Sequence, residues 1–150
     1  MIYILYLRDI VVCFFASFFY GKIMSTPTRQ LIPASLNASI TYLIYRVIYL
    51  QTGHELVGYL AAALGVSLIS ELLARKYKMP ATIFVMPGII PLVPGVGLYR
   101  SMLCLVRNDI TGALNAGVRT LFISGIIAVS IAVVNAMARS VFQVVKKENK

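Results

Sequence analysis

Charge is what this sequence has least of. Only 13% of its 150 residues are Asp, Glu, Lys or Arg, about half the share a soluble domain carries. A water-soluble globular enzyme is thereby excluded, and so is a disordered segment. Acidic residues number five and histidine one, and the two cysteines, Cys13 and Cys104, lie in separate apolar runs. Those cysteines read as free thiols buried in the membrane. With His54 alone beside them there is no metal-ligand constellation. No nucleophile–base pair stands out either, so neither a cofactor nor an enzymatic reaction is expected. The first charge, Arg8, follows apolar residues rather than preceding them, which argues against a cleavable signal.

Apolar residues fill the space that charge leaves, at 59% with a mean hydropathy of +0.85. A helix needs about 20 such residues to cross the hydrocarbon core, so the chain holds roughly four or five spans. The expectation is an all-α integral membrane protein of about five transmembrane helices, forming one transmembrane domain over residues 1–150. Its five segments run from about Ile2 to Tyr20, Pro33 to Leu50, Leu56 to Ala74, Ala81 to Val106 and Ala113 to Ala138. The second is the most polar, with Ser35, Asn37, Ser39, Thr41 and Arg46, and suits an inward-facing helix. In the third, Gly58-x-x-x-Ala62 and Ala61-x-x-x-Gly65 suggest a close-packing face.

The net charge of +9 invites a nucleic-acid reading, and its placement rejects it. Lys22, Arg29, Arg75, Lys76, Lys78, Arg139, Lys146, Lys147 and Lys150 fall on one side of a five-span chain. Arg8, Arg107 and Arg119 fall on the other. That bias sets a multi-pass protein of the cell (inner or plasma) membrane, N-terminus outside and C-terminus in the cytoplasm. There is no basic stripe with interleaved aromatics, so no nucleic-acid partner is expected. The nine tyrosines read as interfacial anchors in the lipid bilayer, and His54 as a solvated turn residue.

The fourth segment carries the chemistry. Between Pro87 and Gly97 stand three prolines and three glycines. Each internal proline removes a backbone donor and obstructs the carbonyl four residues back, so Pro87, Pro91 and Pro94 together should open the helix. Irregular backbone at membrane depth persists only inside protein or beside a water-filled cavity. The half-helix start that such a break leaves can bind a carboxylate through its amides, as in secondary transporters. A surface loop joining two short helices is the other reading.

The run Pro87-Gly88-Ile89-Ile90-Pro91-Leu92-Val93-Pro94-Gly95, followed by Tyr99, resembles the signature of the threonine/serine exporter family in its small-subunit form. Ala74-Arg75 with Pro80, and Pro27-x-Arg29 in the first loop, also fit, and the resemblance covers almost the whole chain. It implies proton-driven export of small hydroxy amino acids by two components, in which this chain is the C-terminal half and a larger membrane subunit supplies the rest. Cargo of another small carboxylate, such as a dicarboxylate, is the alternative within transport. A non-transporting membrane scaffold is the alternative outside it.

Candidate substrate-path residues are Pro87, Gly88, Pro91, Pro94 and Gly95, with Arg46 and Arg100. Arg46 either snorkels to the outer interface or attracts a substrate carboxylate, and Arg100 offers the same choice. Asp9 and Glu71 are the proton-linked candidates, because ionisable groups within a membrane are costly. Each has a plainer reading as well, Asp9 neutralised by Arg8 and Glu71 paired with Arg75 one turn on.

Overall fold

The computed structural model describes the backbone of residues 2–148 and the side chains of residues 6–138 and 140. The basic side chains expected at Arg139, Lys146, Lys147 and Lys150 lie outside the described residues. Among the described residues six helices follow one another: α1 (Ile2–Ile23), α2 (Thr28–Thr52), α3 (Glu55–Tyr77), α4 (Thr82–Ile89), α5 (Gly95–Val106) and α6 (Ile110–Glu148). A single 3-10 turn, Ile90–Leu92, prolongs α4. Each of the five expected segments is helical, and the fourth is the one that is divided.

Local chemistry ends each helix where it does. Gly53 stands just past α2 at φ 68°, donating its N–H to the Tyr49 carbonyl at 2.9 Å, the left-handed cap that glycine adopts without penalty. At the end of α3, Lys78 takes a similar conformation (φ 53°) and Met79 N–H reaches back to the Ala74 carbonyl at 3.0 Å. Pro80 then prevents any continuation. Before α6, the Asp109 carboxylate accepts the Gly112 N–H at 2.9 Å, a side-chain cap for one of the amides that a helix start leaves without a partner.

Among the described residues, α2, α3 and the Ile110–Ala138 part of α6 are each long and apolar enough to cross a membrane. The pair formed by Thr82–Leu92 and Gly95–Val106, bent by 52°, makes a fourth if it is one span. Large apolar side chains remain exposed over these helices, among them Leu68, Leu72, Leu121, Phe122 and Val129. In water such a surface would be costly; against lipid it is the ordinary exterior.

Small residues let the helices approach. Ala62 and Ala63 are fully buried and pack with Leu92, Ile123 and Ile127, joining α3, the 3-10 turn and α6. Gly58 and Gly65 face Tyr45 and Ile44 of α2, so closely that an added Cβ would have to push those side chains aside. The small-residue face expected on the third segment is therefore the α2–α3 contact. At the other end Ala34, Ala74 and Phe84 form a second cluster that holds the start of α4.

The polar residues of α2 serve the packing. Ser35 and Thr41 donate to carbonyls one turn back, Leu31 at 2.8 Å and Asn37 at 2.7 Å. Ser39 reaches the Ile10 carbonyl of α1 at 3.2 Å, and Asn37 donates to Ser70 Oγ of α3 at 2.9 Å. These are interhelix and back-bonded contacts, of the kind that joins helices in lipid.

Candidate functional site

The break follows from the N–H groups missing at Pro91 and Pro94. Pro87 lies within α4 without opening it, contrary to the expectation that all three prolines would, because its ring packs in a fully buried position. In a continuous helix the Pro87 carbonyl would accept from residue 91, which is also proline and has no donor. The buried Ser17 hydroxyl of α1 donates to that carbonyl instead, at 2.8 Å. In the same way Pro94 cannot serve the Ile90 carbonyl, and Val93 N–H does so at 3.3 Å. Only there does the chain leave helical geometry, with Val93 at φ −61° and ψ 122° and Pro94 at φ −78° and ψ 56°.

A test of this account is Ser17→Ala. It leaves a buried carbonyl without a donor, a loss of about 1–3 kcal/mol. Thermal unfolding of the purified protein should show a lower midpoint; an unchanged one would mean that the Pro87 carbonyl is satisfied in some other way.

Beside the break lies a cavity of about 420 Å³, within the ~300–1,000 Å³ range of ligand sites and near its small end. Its floor is the start of α5, from Pro94 to Gly97. Helix geometry leaves the first-turn amides of α5 without intrahelical acceptors and gives that end a partial positive charge. Gly95 N–H is taken by the Val93 carbonyl at 2.8 Å, which leaves Val96 and Gly97 to present theirs. Arg100, one turn further along, lines the same cavity. Gly97 is required here for space, since a Cβ would lie 2.3 Å from Thr120 Oγ1.

The rest of the lining includes aromatic and acidic residues. Tyr45 and Tyr59 pack with ring centroids 4.6 Å apart, Tyr42 adjoins Tyr45 at 6.1 Å, and all three line the cavity together with Glu55. Glu55, at the first turn of α3, is paired with Arg119 of α6. The pair also borders a groove of about 750 Å³ that runs past Tyr49, His54 and Phe122. Glu55 and Arg119 therefore stand between the groove and the cavity. The lining thus combines cationic and amide groups with a paired carboxylate and π faces, a chemistry that suits a molecule carrying both a carboxylate and an ammonium.

Of the residues nominated from sequence, Pro91, Pro94, Gly95 and Arg100 line this cavity. Pro87 and Gly88 lie deeper in α4, Gly88 so close to α2 and α3 that a Cβ would meet Val66 Cγ2 at 2.5 Å. Arg46 is half-buried on α2 and is not among the cavity's lining residues. Asp9 is held by its neighbour, with Arg8 Nη2 to Oδ1 at 2.9 Å. Glu71 lies at the other end of α3, in a separate cavity. Among the described residues no cluster of His, Cys, Asp and Glu could hold a metal ion.

Glu55, Arg119 and the three tyrosines were missed from sequence. Arg119 read as a topology marker and the tyrosines as interfacial anchors. The available signal was a glutamate immediately after the Gly53-His54 turn, in a chain with only five acidic residues.

Comparison with known proteins agrees with the motif. No solved structure matches the chain. A probable threonine/serine exporter of Mycobacterium tuberculosis (strain ATCC 25618 / H37Rv) is 26% identical over 83 residues, covering 55% of this chain and 16% of that protein's length. The family described as "Threonine/Serine exporter, ThrE" matches residues 9–137, a stretch that takes in the whole proline-broken segment and every residue of the cavity beside it. This multi-pass membrane protein belongs to the threonine/serine exporter family.

Proposed function

We propose that the chain is one half of a two-component exporter, which moves threonine, serine or a similar small zwitterion outward as protons move in. The observation that carries this reading is the cavity at the break, lined by the α5 start and Arg100 together with Glu55 and its tyrosine neighbours. A substrate carboxylate seats on the α5 start and Arg100. Its ammonium competes with Arg119 for Glu55 and lies against the tyrosine faces. Binding therefore loosens the Glu55–Arg119 pair between groove and cavity, which ties occupancy to opening on that side. The backbone at the break needs no ordered side chain to change shape, which suits it to alternating access.

Five spans with the N-terminus outside, counting α1 with the other four, place the groove at the external face and the basic loop after α3 inside. Asp9 and Glu71 remain the proton-linked candidates, and the larger membrane subunit supplies the second half of the path. The family assignment favours a hydroxy amino acid as cargo over a dicarboxylate. So does the position of Arg46 away from the cavity, since a second carboxylate would need a second free cation.

The test is efflux of labelled threonine from preloaded cells. The chain together with the larger subunit should export, and neither alone should; export by this chain alone would overturn the two-component reading. Arg100→Gln should weaken threonine export about tenfold or more, the effect of losing one charge-assisted contact. Competition by a dicarboxylate but not by serine would replace the cargo. A scaffold would keep its activity in the Pro91→Ala, Gly95→Ala double variant, whereas the exporter should assemble and fail.

A further inference from the structure

The end of α3 away from Glu55 carries a second cavity of about 510 Å³, of which the exporter reading uses only Glu71, as a proton-linked candidate. Glu71 of α3 lines it, with Arg75 and Lys78 at the helix end, Thr82 at the start of α4 and Asn135 of α6. Asn135 Oδ1 is shut off from solvent and accepts no hydrogen bond from the protein. A carbonyl oxygen in that state is unfavourable by about the free energy of the bond it lacks.

Its chemistry repeats that of the cavity at the break. Each combines one glutamate of α3, at least one cationic side chain, the residues just ahead of a half-helix and a polar residue of α6, Thr120 in one and Asn135 in the other. Sixteen residues separate Glu55 from Glu71, about 24 Å along α3 at 1.5 Å per residue. Between the two levels lies the apolar plug of Ala62, Ala63, Leu92, Ile123 and Ile127. The α4 start differs in one respect. Its amides at Ile83, Phe84 and Val85 are already bonded to the Pro80 and Ala81 carbonyls, so the carboxylate partners here are side chains rather than backbone.

We infer that this cavity is a second amino-acid site, on the basic face of the protein, which takes the same class of small zwitterion before it passes the plug. The substrate ammonium lies against the Glu71 carboxylate, and its carboxylate meets Lys78. Glu71 acts in this inference as a substrate ligand, and the inference rests on the exporter reading given above.

The experiment uses the full chain in membranes of its native host, with Cys13 and Cys104 replaced by serine and one reporter cysteine added. Ala81→Cys reports on the second cavity and Val96→Cys on the one at the break, each through its rate of reaction with N-ethylmaleimide. Threonine at ten times its dissociation constant should slow both reactions about tenfold, in proportion to the sites left open. Glu71→Gln should remove protection at Ala81→Cys and leave it at Val96→Cys, which also shows that the variant folds. Protection at Val96→Cys alone overturns the second site and leaves the exporter reading standing. Protection at neither overturns both. Protection at Ala81→Cys that survives Glu71→Gln overturns the site as assigned.

Discussion

Glu55→Gln is expected to cut threonine export by between about tenfold and a hundredfold while leaving the protein folded. The loss corresponds to one charge-assisted contact to the substrate ammonium, about 1.5–3 kcal/mol. The fold should survive because the native pair contributes little to it. The side chains of Glu55 and Arg119 are 27% and 68% exposed, and ion pairs with that much solvent are worth about 0–1 kcal/mol. Glutamine keeps the shape and removes the charge, so the unfolding midpoint should stay near that of the parent. Glu55→Asp retains the charge on a shorter stem and should retain part of the activity. Undiminished export in Glu55→Gln would remove Glu55 from the binding wall, and a collapse of the midpoint would make its role structural.

Gly88→Val should have the reverse signature, with export lost because the folded protein is lost. A Cβ at Gly88 would lie 2.5 Å from Val66 Cγ2 and 3.1 Å from Asn37 Nδ2. Neither neighbour is free to move. Val66 is fully buried, and Asn37, only 1% exposed, is held by its bond to Ser70. Overpacking of this kind costs about 1–3 kcal/mol and more when backbone must shift, and valine adds two methyl groups beyond the Cβ. The amount of protein recovered from membranes, and its thermal midpoint, should both fall. Gly95, seven residues on in the same motif, has nothing within 4 Å of the corresponding point. Gly95→Ala should therefore fold normally, and any loss of export it causes must come through the backbone at the break. Equal recovery of the two variants would show that α4 does not dock as described.

The two glycines mark the limit of what the motif alone could tell. Proline and glycine between Pro87 and Gly97 predict a broken helix because missing donors and ring clashes act over four residues, and the consequence is local. Which proline breaks it is decided elsewhere. Pro87 stays within helix α4, packed in the core with its carbonyl bonded to Ser17, a residue 70 positions away. From sequence, Asn37 and its hydroxyl neighbours on α2 marked only an inward-facing helix. They bond to α1, to α3 and to their own helix, a choice that depends on which helices lie against that face.

The site divides in the same manner. Arg100 follows the break by a few residues and could be nominated from the motif. Glu55 and Arg119 are 64 residues apart, and only the packing of α3 against α6 brings them together. Tyr42, Tyr45 and Tyr59 show no pattern in the chain that separates a binding wall from an interfacial belt, because tyrosine suits both.

The low charge, the hydrophobic lengths and the proline run, each a property of a short stretch, were enough to establish an all-helical membrane chain with one divided segment and to suggest its family. The tertiary structure alone decided the rest. It placed a carboxylate, a tyrosine wall and a half-helix start around one cavity, and it set Glu71 at the far end of α3 in another. Those groupings come from helices packing side by side, so they join residues that the sequence keeps dozens of positions apart.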